Sequence, residues 1–213
     1  MKNYLAIDIG ASSGRHIVST NGQLTEVYRF ETGFYRENDK LFNDVNKLLA
    51  NVIEGIKIAF EKFKQIESLS IDTWGVDYVL LNGDKDILPV YAYRDDRTEK
   101  VIDEVHSIIP FKTLYQKTGI QFMPFNTLYQ LYEDKKSGRL ENATDFLLLP
   151  EWLTYKLTGI KSHQFTNATT GGMVNAFTKQ YDDEIIDKLG LPKHLFNKLL
   201  PPSTIVGTLK EDV

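Results

Sequence analysis

Apolar and polar positions change period twice along the chain. Residues 4–9 (YLAIDI) are almost continuously apolar, which predicts a strand buried on both faces. Asp8 stands opposite in parity to Leu5, Ile7 and Ile9, so its carboxylate leaves that strand on a face of its own. Small residues bracketed by Gly10 and Gly14 follow, then two further strands at 16–20 and 24–30 joined by the hairpin signal Asn21-Gly22. Residues 31–40 are polar and rich in turn formers, which predicts a loop. With Asp44 as N-cap, Val45, Leu48, Leu49, Val52, Ile56, Ala59, Phe60 and Phe63 then fall at helical spacing, predicting a helix that covers one face of the sheet. Strands are expected again at 67–72, at 76–81 with a turn at Asn82-Gly83-Asp84, and at 88–93.

From Thr98 the period is mostly helical. Helices are expected at 98–108, capped by Thr98, and at 111–118, closed by Gly119. Another runs over 128–136 between a cap at Asn126 or Thr127 and a stop at Gly138. Residues 146–149 predict a short buried strand, and Pro150 opens a helix over 151–157 that Gly159 ends. Residues 166–175 predict a loop; Asp182 precedes a helix to Leu189, Pro192 starts a shorter one, and Pro201-Pro202-Ser203-Thr204 is a linker signal. The whole predicts an α/β fold whose mixed β-sheet opens with a three-stranded antiparallel hairpin unit and is flanked by helices.

Composition removes several classes of function. The 213 residues carry 25 basic and 29 acidic side chains, a net charge of −4, and the basic ones are scattered, so there is no electrostatic case for nucleic acid. With no cysteine there is no disulfide framework, thiolate metal site or catalytic thiol, and the four histidines show no ligand spacing. The N-terminal residues are neither a signal peptide nor a membrane span, so no membrane partner and a cytoplasmic location are expected. The apolar content, 42%, supports one domain or two small ones.

Two clusters carry candidate chemistry. In Gly10-Ala11-Ser12-Ser13-Gly14-Arg15, small residues between glycines leave backbone N–H groups uncovered, as an anion nest for phosphate with Arg15 adding charge. Asp8 beside it is placed to hold magnesium or its waters. The competing reading is a tight turn that needs glycine for positive φ and binds nothing; the pattern is neither a P-loop nor G-x-G-x-x-G. Asp72-Thr73-Trp74-Gly75-Val76-Asp77 combines carboxylate, hydroxyl, indole and glycine at a strand end, where α/β proteins place ligands. Here an indole face suits a sugar ring and a glycine lets backbone approach hydroxyls, against the alternative of a Trp packing a turn. Arg94-Asp95-Asp96-Arg97 reads as a polyol clamp or, more simply, a solvated surface network. Asp8, Asp72, Asp77 and Asp95 are the candidates for an acid–base pair, with no spacing that sets two face to face. Glu151 is expected to cap its own helix, and Phe122, Phe125, Tyr129 and Tyr132 to form core and pocket wall.

Taken in order, these pieces resemble the N-terminal domain of the FGGY carbohydrate kinase family, most closely its rhamnulokinase branch. The matching runs are Asp8 through Arg15, Ile71 through Asp77, Tyr93 through Thr98, Thr118 through Phe122, Pro124 through Leu131, Leu157-Thr158-Gly159 and Thr166 through Thr170. The resemblance implies the actin-like, ribonuclease H-like fold, in which two such domains close over ATP, a small-molecule sugar and Mg2+. It implies phosphorylation of L-rhamnulose at the 1-hydroxyl. Ala11, Ser12, Ser13, Gly14 and Arg15 are then at the nucleotide's phosphates, Asp8 is near the metal, and Gly75 is at the sugar; the chemistry of the two clusters adds Trp74, Asp72 and Asp95 as sugar-side candidates. Other sugars of the family, L-fuculose, xylulose or glycerol, and a non-catalytic sugar-binding module are the alternatives. Family members are about twice this length. The adenosine pocket and the catalytic aspartate, in a Ser-His-Asp-Thr-like run, are therefore expected in a second domain beyond Val213, as a partner to residues 1–213. No such run is present here, and Asp212 is no match for it.

Overall fold

In the computed structural model of the protein, which describes residues 2–211 and 213, strand β1 (Asn3–Ile9) buries alternate residues only. Leu5, Ile7 and Ile9 enter a core while Tyr4 and Ala6 stay exposed, so the expectation of a strand buried on both faces does not hold. Asp212 lies outside the described residues. β2 (Ser13–Thr20) and β3 (Gln23–Glu31) complete the antiparallel unit, turning at Asn21 and Gly22, both at positive φ. Helix α1 (Val45–Lys62) lays Val45, Leu48, Val52, Ile56 and Ala59 on the buried face, and Asp44 caps it by accepting from Lys47 N at 3.0 Å. Gly55 sits in mid-helix because the His16 ring fills the space beside it: a Cβ there would lie 2.3 Å from His16 Cε1. Burial lowers the pKa of that ring, against a hydrogen bond to Val52 O that raises it, so His16 packs as a neutral group.

Strand β6 (Ser68–Thr73) adds in parallel to β1, giving the order β3-β2-β1-β6. The stretch 31–40, expected as a loop, contains β4 (Phe34–Glu37) and joins β5 (Lys40–Asn43) in a hairpin. Polar composition hides this hairpin in the sequence. Its stability comes from Phe42, whose ring lies 5.5 Å from Tyr35 and 4.9 Å from Tyr91 of a strand far along the chain.

The stretch buried on both faces is elsewhere. β7 (Tyr78–Asn82) pairs with β8 (Lys85–Ile87), and β9 (Val90–Tyr91) joins β5, so the strand expected at 88–93 is shorter and belongs to another sheet. Asp95, not Thr98, caps the next element, a 3-10 turn over Asp96–Val101 that runs into α2 (Ile102–Ile108). α3 (Phe111–Thr118) ends at Gly119 in the left-handed region, and α4 (Thr127–Lys136) follows. β10 (Asp145–Leu148) lies antiparallel to β7. Val79, Leu81 and Leu147 face the core shared with α1, while Tyr78, Leu80, Phe146 and Leu148 face a second core among the later helices. That is why both strands read as unbroken apolar runs.

α5 (Leu149–Thr158), with Pro150 in its first turn and Gly159 at its left-handed end, closes the first core with Trp152 and Leu153. β11 (His163–Gln164) leads into the single-turn α6 (Phe165–Thr169), which overlaps the span 166–175 expected as a loop. α7 (Asp183–Leu189), capped by Asp182, and β12 (Leu199–Leu200), parallel to β11, complete the chain. Among the described residues no helix is long and apolar enough to cross a membrane.

Candidate active site

The C-terminal ends of β1, β3 and β6 and the start of β2 lie along one edge of the first sheet, which brings both candidate clusters together. Gly10 N donates to Ser13 O at 2.9 Å, and Thr32 clamps the turn by donating from N to Ser12 O at 3.1 Å and from Oγ1 to Gly10 O at 2.8 Å. None of residues 10–14 has positive φ, so the turn is not a nest, and its glycines do not serve the left-handed region. Gly14 belongs to β2 and is buried under Phe30: a Cβ there would lie 2.1 Å from Phe30 Cζ. The absent side chain makes room for that ring. What the turn leaves open, among the described residues, are the N–H groups of Ala11 and Ser12, which have no protein acceptor, with the Ser13 hydroxyl beside them.

Arg15 is not a free cation. Its Nη2 donates to Asp8 Oδ2 at 2.7 Å across the first two strands, with both side chains partly open to solvent. In the parallel ladder the register partner of Asp8 is Asp72, which is exposed. Two neighbouring solvent-accessible carboxylates are a donor set that fits a magnesium ion keeping most of its waters. Among the described residues no three acidic or histidine side chains gather into a closed metal cage.

The chain passes from the first sheet to β7 through a turn, 74–77, that is pinned on every side. Val76 takes a φ of 72°, costly for a β-branched residue, and its carbonyl accepts from Thr127 Oγ1 at 2.9 Å and Gln130 Nε2 at 3.2 Å. Asp77 is 1% exposed. Its Oδ2 accepts from Trp74 Nε1 at 2.8 Å and from Asn43 Nδ2 at 2.9 Å, while Oδ1 has no partner among the described residues. Burial outweighs those hydrogen bonds and pushes its pKa up to about 7. Gly75 abuts Thr170: a Cβ there would be 2.7 Å from Thr170 Oγ1.

The span around Thr170 is anchored at both ends. Asn126 Nδ2 donates to Thr170 O at 2.9 Å. At the other end Glu151 accepts from Leu148 N at 2.8 Å, capping its own helix as expected, and also from Gln164 N at 2.6 Å. Burial raises Glu151 to a pKa of about 7, against His163 and those two backbone N–H groups, which lower it.

Trp74, Asn43, Phe34, Glu31, Lys47 and Asn51 border a cavity of about 200 Å3 beside the strand ends. Asp95 takes no part in it. Its carboxylate is buried and accepts from Leu41 N at 2.8 Å and Arg97 N at 2.9 Å, which corrects the polyol-clamp reading: Asp95 caps a turn and ties down the β4–β5 hairpin. Arg97 is equally internal, paired with Asp134 and stacked 4.2 Å from the Tyr91 ring. Arg94 does reach the aromatic group at the cavity rim, lying over Phe34 and Tyr93, and Tyr93 packs 5.3 Å from Phe125. The structural task of Asp77 and the second contact of Glu151 have no signal in the sequence. Both depend on partners 34 and 13 residues away.

The sequence profile of the FGGY family of carbohydrate kinases, N-terminal domain, matches residues 3–213. A rhamnulokinase of Oceanobacillus iheyensis is 43% identical over 98% of this chain and 46% of its own, and one of Enterococcus faecalis is 41% identical over 98% and 43%. The chain thus spans a little under half the length of these curated relatives. The fold is that of gluconate kinase from Lactobacillus acidophilus (TM-score 0.90, 19% identity, 99% of this chain and 44% of that one). It is also that of Plasmodium falciparum glycerol kinase with ADP (TM-score 0.80, 17% identity, 100% and 46%). The opening antiparallel unit, the parallel β6, the strand-end cluster and the full-length profile match converge: this chain belongs to the FGGY family of carbohydrate kinases, as an N-terminal domain of that family.

Proposed function

We propose that this chain is the sugar- and phosphate-binding half of an ATP-dependent kinase that phosphorylates L-rhamnulose at its 1-hydroxyl. The observation that carries the reading is the convergence on one sheet edge of open N–H groups at Ala11 and Ser12, the Asp8–Asp72 carboxylate pair, and the Trp74-Gly75 turn beside a cavity. The 37–43% identity to rhamnulokinases favours L-rhamnulose over the other sugars of the family.

In this reading the Ala11 and Ser12 N–H groups donate to phosphate oxygens, and Arg15 offsets charge on the transferred group while remaining paired with Asp8. Asp8 and Asp72 hold magnesium, which when bound neutralises phosphate charge. The indole face of Trp74 covers the apolar side of the sugar, and the Gly75 backbone meets its hydroxyls. Oxygen O1 of the sugar forms the new bond to phosphorus as the bond to ADP breaks, and the O1 proton passes to a base. Asp77 and Asp95 are buried and hydrogen-bonded, so in this reading neither serves as that base, and the base is a residue of the kinase's second domain. Phosphoryl transfer of this kind relies on positioning and charge stabilisation, the two things these residues supply.

The test is a panel of ketoses and polyols offered with ATP and magnesium to the kinase containing this domain and the rest of its chain. L-Rhamnulose is expected to have the highest kcat/KM; clear preference for L-fuculose, xylulose or glycerol would overturn the substrate assignment.

A further inference from the structure

Two of the side chains that border the cavity, Trp74 and Asn43, hang on a single oxygen. Asp77 Oδ2 accepts from the indole Nε1 at 2.8 Å and from the amide Nδ2 at 2.9 Å. Asp77 itself is 1% exposed and does not line the cavity, so it reaches neither solvent nor a bound molecule. Its main chain is as constrained as its carboxylate. Asp77 O accepts from Leu149 N at 3.0 Å, and the preceding carbonyl is held by Thr127 and Gln130 of α4. A buried carboxylate is a poor choice for packing alone, because an apolar residue of similar size would avoid its desolvation. Here it does something an apolar residue cannot, accepting two donors from different elements and so fixing the ring plane of a partly buried tryptophan.

We infer that Asp77 is a positioning residue, which holds the Trp74 indole and the Asn43 amide as walls of the sugar cavity and so sets sugar affinity without touching sugar or phosphoryl group. The inference rests on the reading of the Trp74 side as the sugar side. It opposes the acid–base role open to Asp77 from sequence, and the two differ in what a variant loses. A misplaced wall weakens ground-state and transition-state binding alike and appears in KM, whereas a missing acid or base appears in kcat.

Trp74 and Trp152 are the two tryptophans, so an indole-labelled 15N spectrum of the protein contains two side-chain resonances, assigned with W152F. In D77A the Trp74 resonance should move while that of Trp152 stays. In the full kinase, sugar KM should rise about ten-fold or more, with kcat within about three-fold and ATP KM unchanged. D77N, which keeps one acceptor oxygen, should recover part of the affinity, and it replaces D77A if that variant fails to fold. On a W74F background D77N should add less than it does alone, because one of the two walls it positions is gone. An unmoved Trp74 resonance overturns the inference. So does a moved resonance with unchanged sugar KM, or a loss confined to kcat; each leaves the kinase reading standing. A wild-type kinase that binds no sugar at all would remove the reading and the inference with it.

Discussion

Asp8 and Arg15 face each other across the first two strands at 2.7 Å, and the neighbour of Asp8 on its other side is Asp72. One cation thus stands against two carboxylates at the edge where the candidate phosphate turn begins. Removing it leaves Asp8 and Asp72 to repel each other and leaves the transferred group without a fixed positive charge. Both members of the ion pair are about two-fifths exposed, 43% and 44%, so the pair itself contributes at most about 1 kcal/mol to stability. Arg15→Ala should therefore unfold at nearly the wild-type denaturant midpoint, yet lower kcat of the full kinase by roughly ten-fold or more with sugar KM little changed. Steady-state kinetics with an equilibrium melt checks this; normal kcat with a much raised sugar KM would place Arg15 on the wrong side of the site.

Gly14 and Phe30 supply a second prediction, independent of function. A methyl at Gly14 would meet the Phe30 ring at 2.1 Å, whereas one at Gly10 would sit 3.4 Å from Ser13 O. Gly14→Ala should destabilise by about 1–3 kcal/mol, as overpacking does, and Gly10→Ala by much less. Pairing Gly14→Ala with Phe30→Leu should recover part of the loss. Urea denaturation measures all three; equal effects at the two glycines would mean that conformation and not packing selects them.

Acid and base act on stability through Asp77 and Glu151. Both carboxyls are raised by burial from 3.8 and 4.5 to about 7, and so hold protons that the unfolded chain has already released. Stability from these groups is fully present below about pH 4 and is lost as pH climbs toward 7, at up to about 1.4 kcal/mol per pH unit for each group. Groups facing them are Trp74, Asn43 and Arg97 around Asp77, and His163, Asp145 and the N–H groups of Leu148 and Gln164 around Glu151. Thermal melts from pH 5 to pH 8 should show a decline that flattens in D77N and E151Q. A wild-type profile that rises through this window, with both variants parallel to it, would count against raised carboxyls.

The 213-residue chain by itself is expected to fold cooperatively, since its two cores close over β7 and β10 without outside help. On the proposed reading it should release ADP with L-rhamnulose, ATP and magnesium at least about 100-fold more slowly than the full kinase, because the general base lies outside it. Turnover within ten-fold of the full kinase would show that the base is among these residues.

Local chemistry was enough to read the opening hairpin unit, α1 with its Asp44 cap, the glycine ends of α3 and α5, and the two clusters at the strand ends. Each is governed by side-chain period, capping or turn preference within a few residues, which a sequence displays directly. Tertiary structure decided the rest. It left one face of β1 open and buried both faces of β7 and β10, since burial depends on which elements arrive from far along the chain. It made a hairpin of 34–43 because Phe42 finds Tyr91. It took Asp95 and Arg97 out of the candidate site by giving their polar groups internal partners, and it tied Trp74 and Asn43 to Asp77. A carboxylate reads the same in sequence whether it meets solvent, a cation or a buried indole; its role follows from the donors that the fold brings within 3 Å of it.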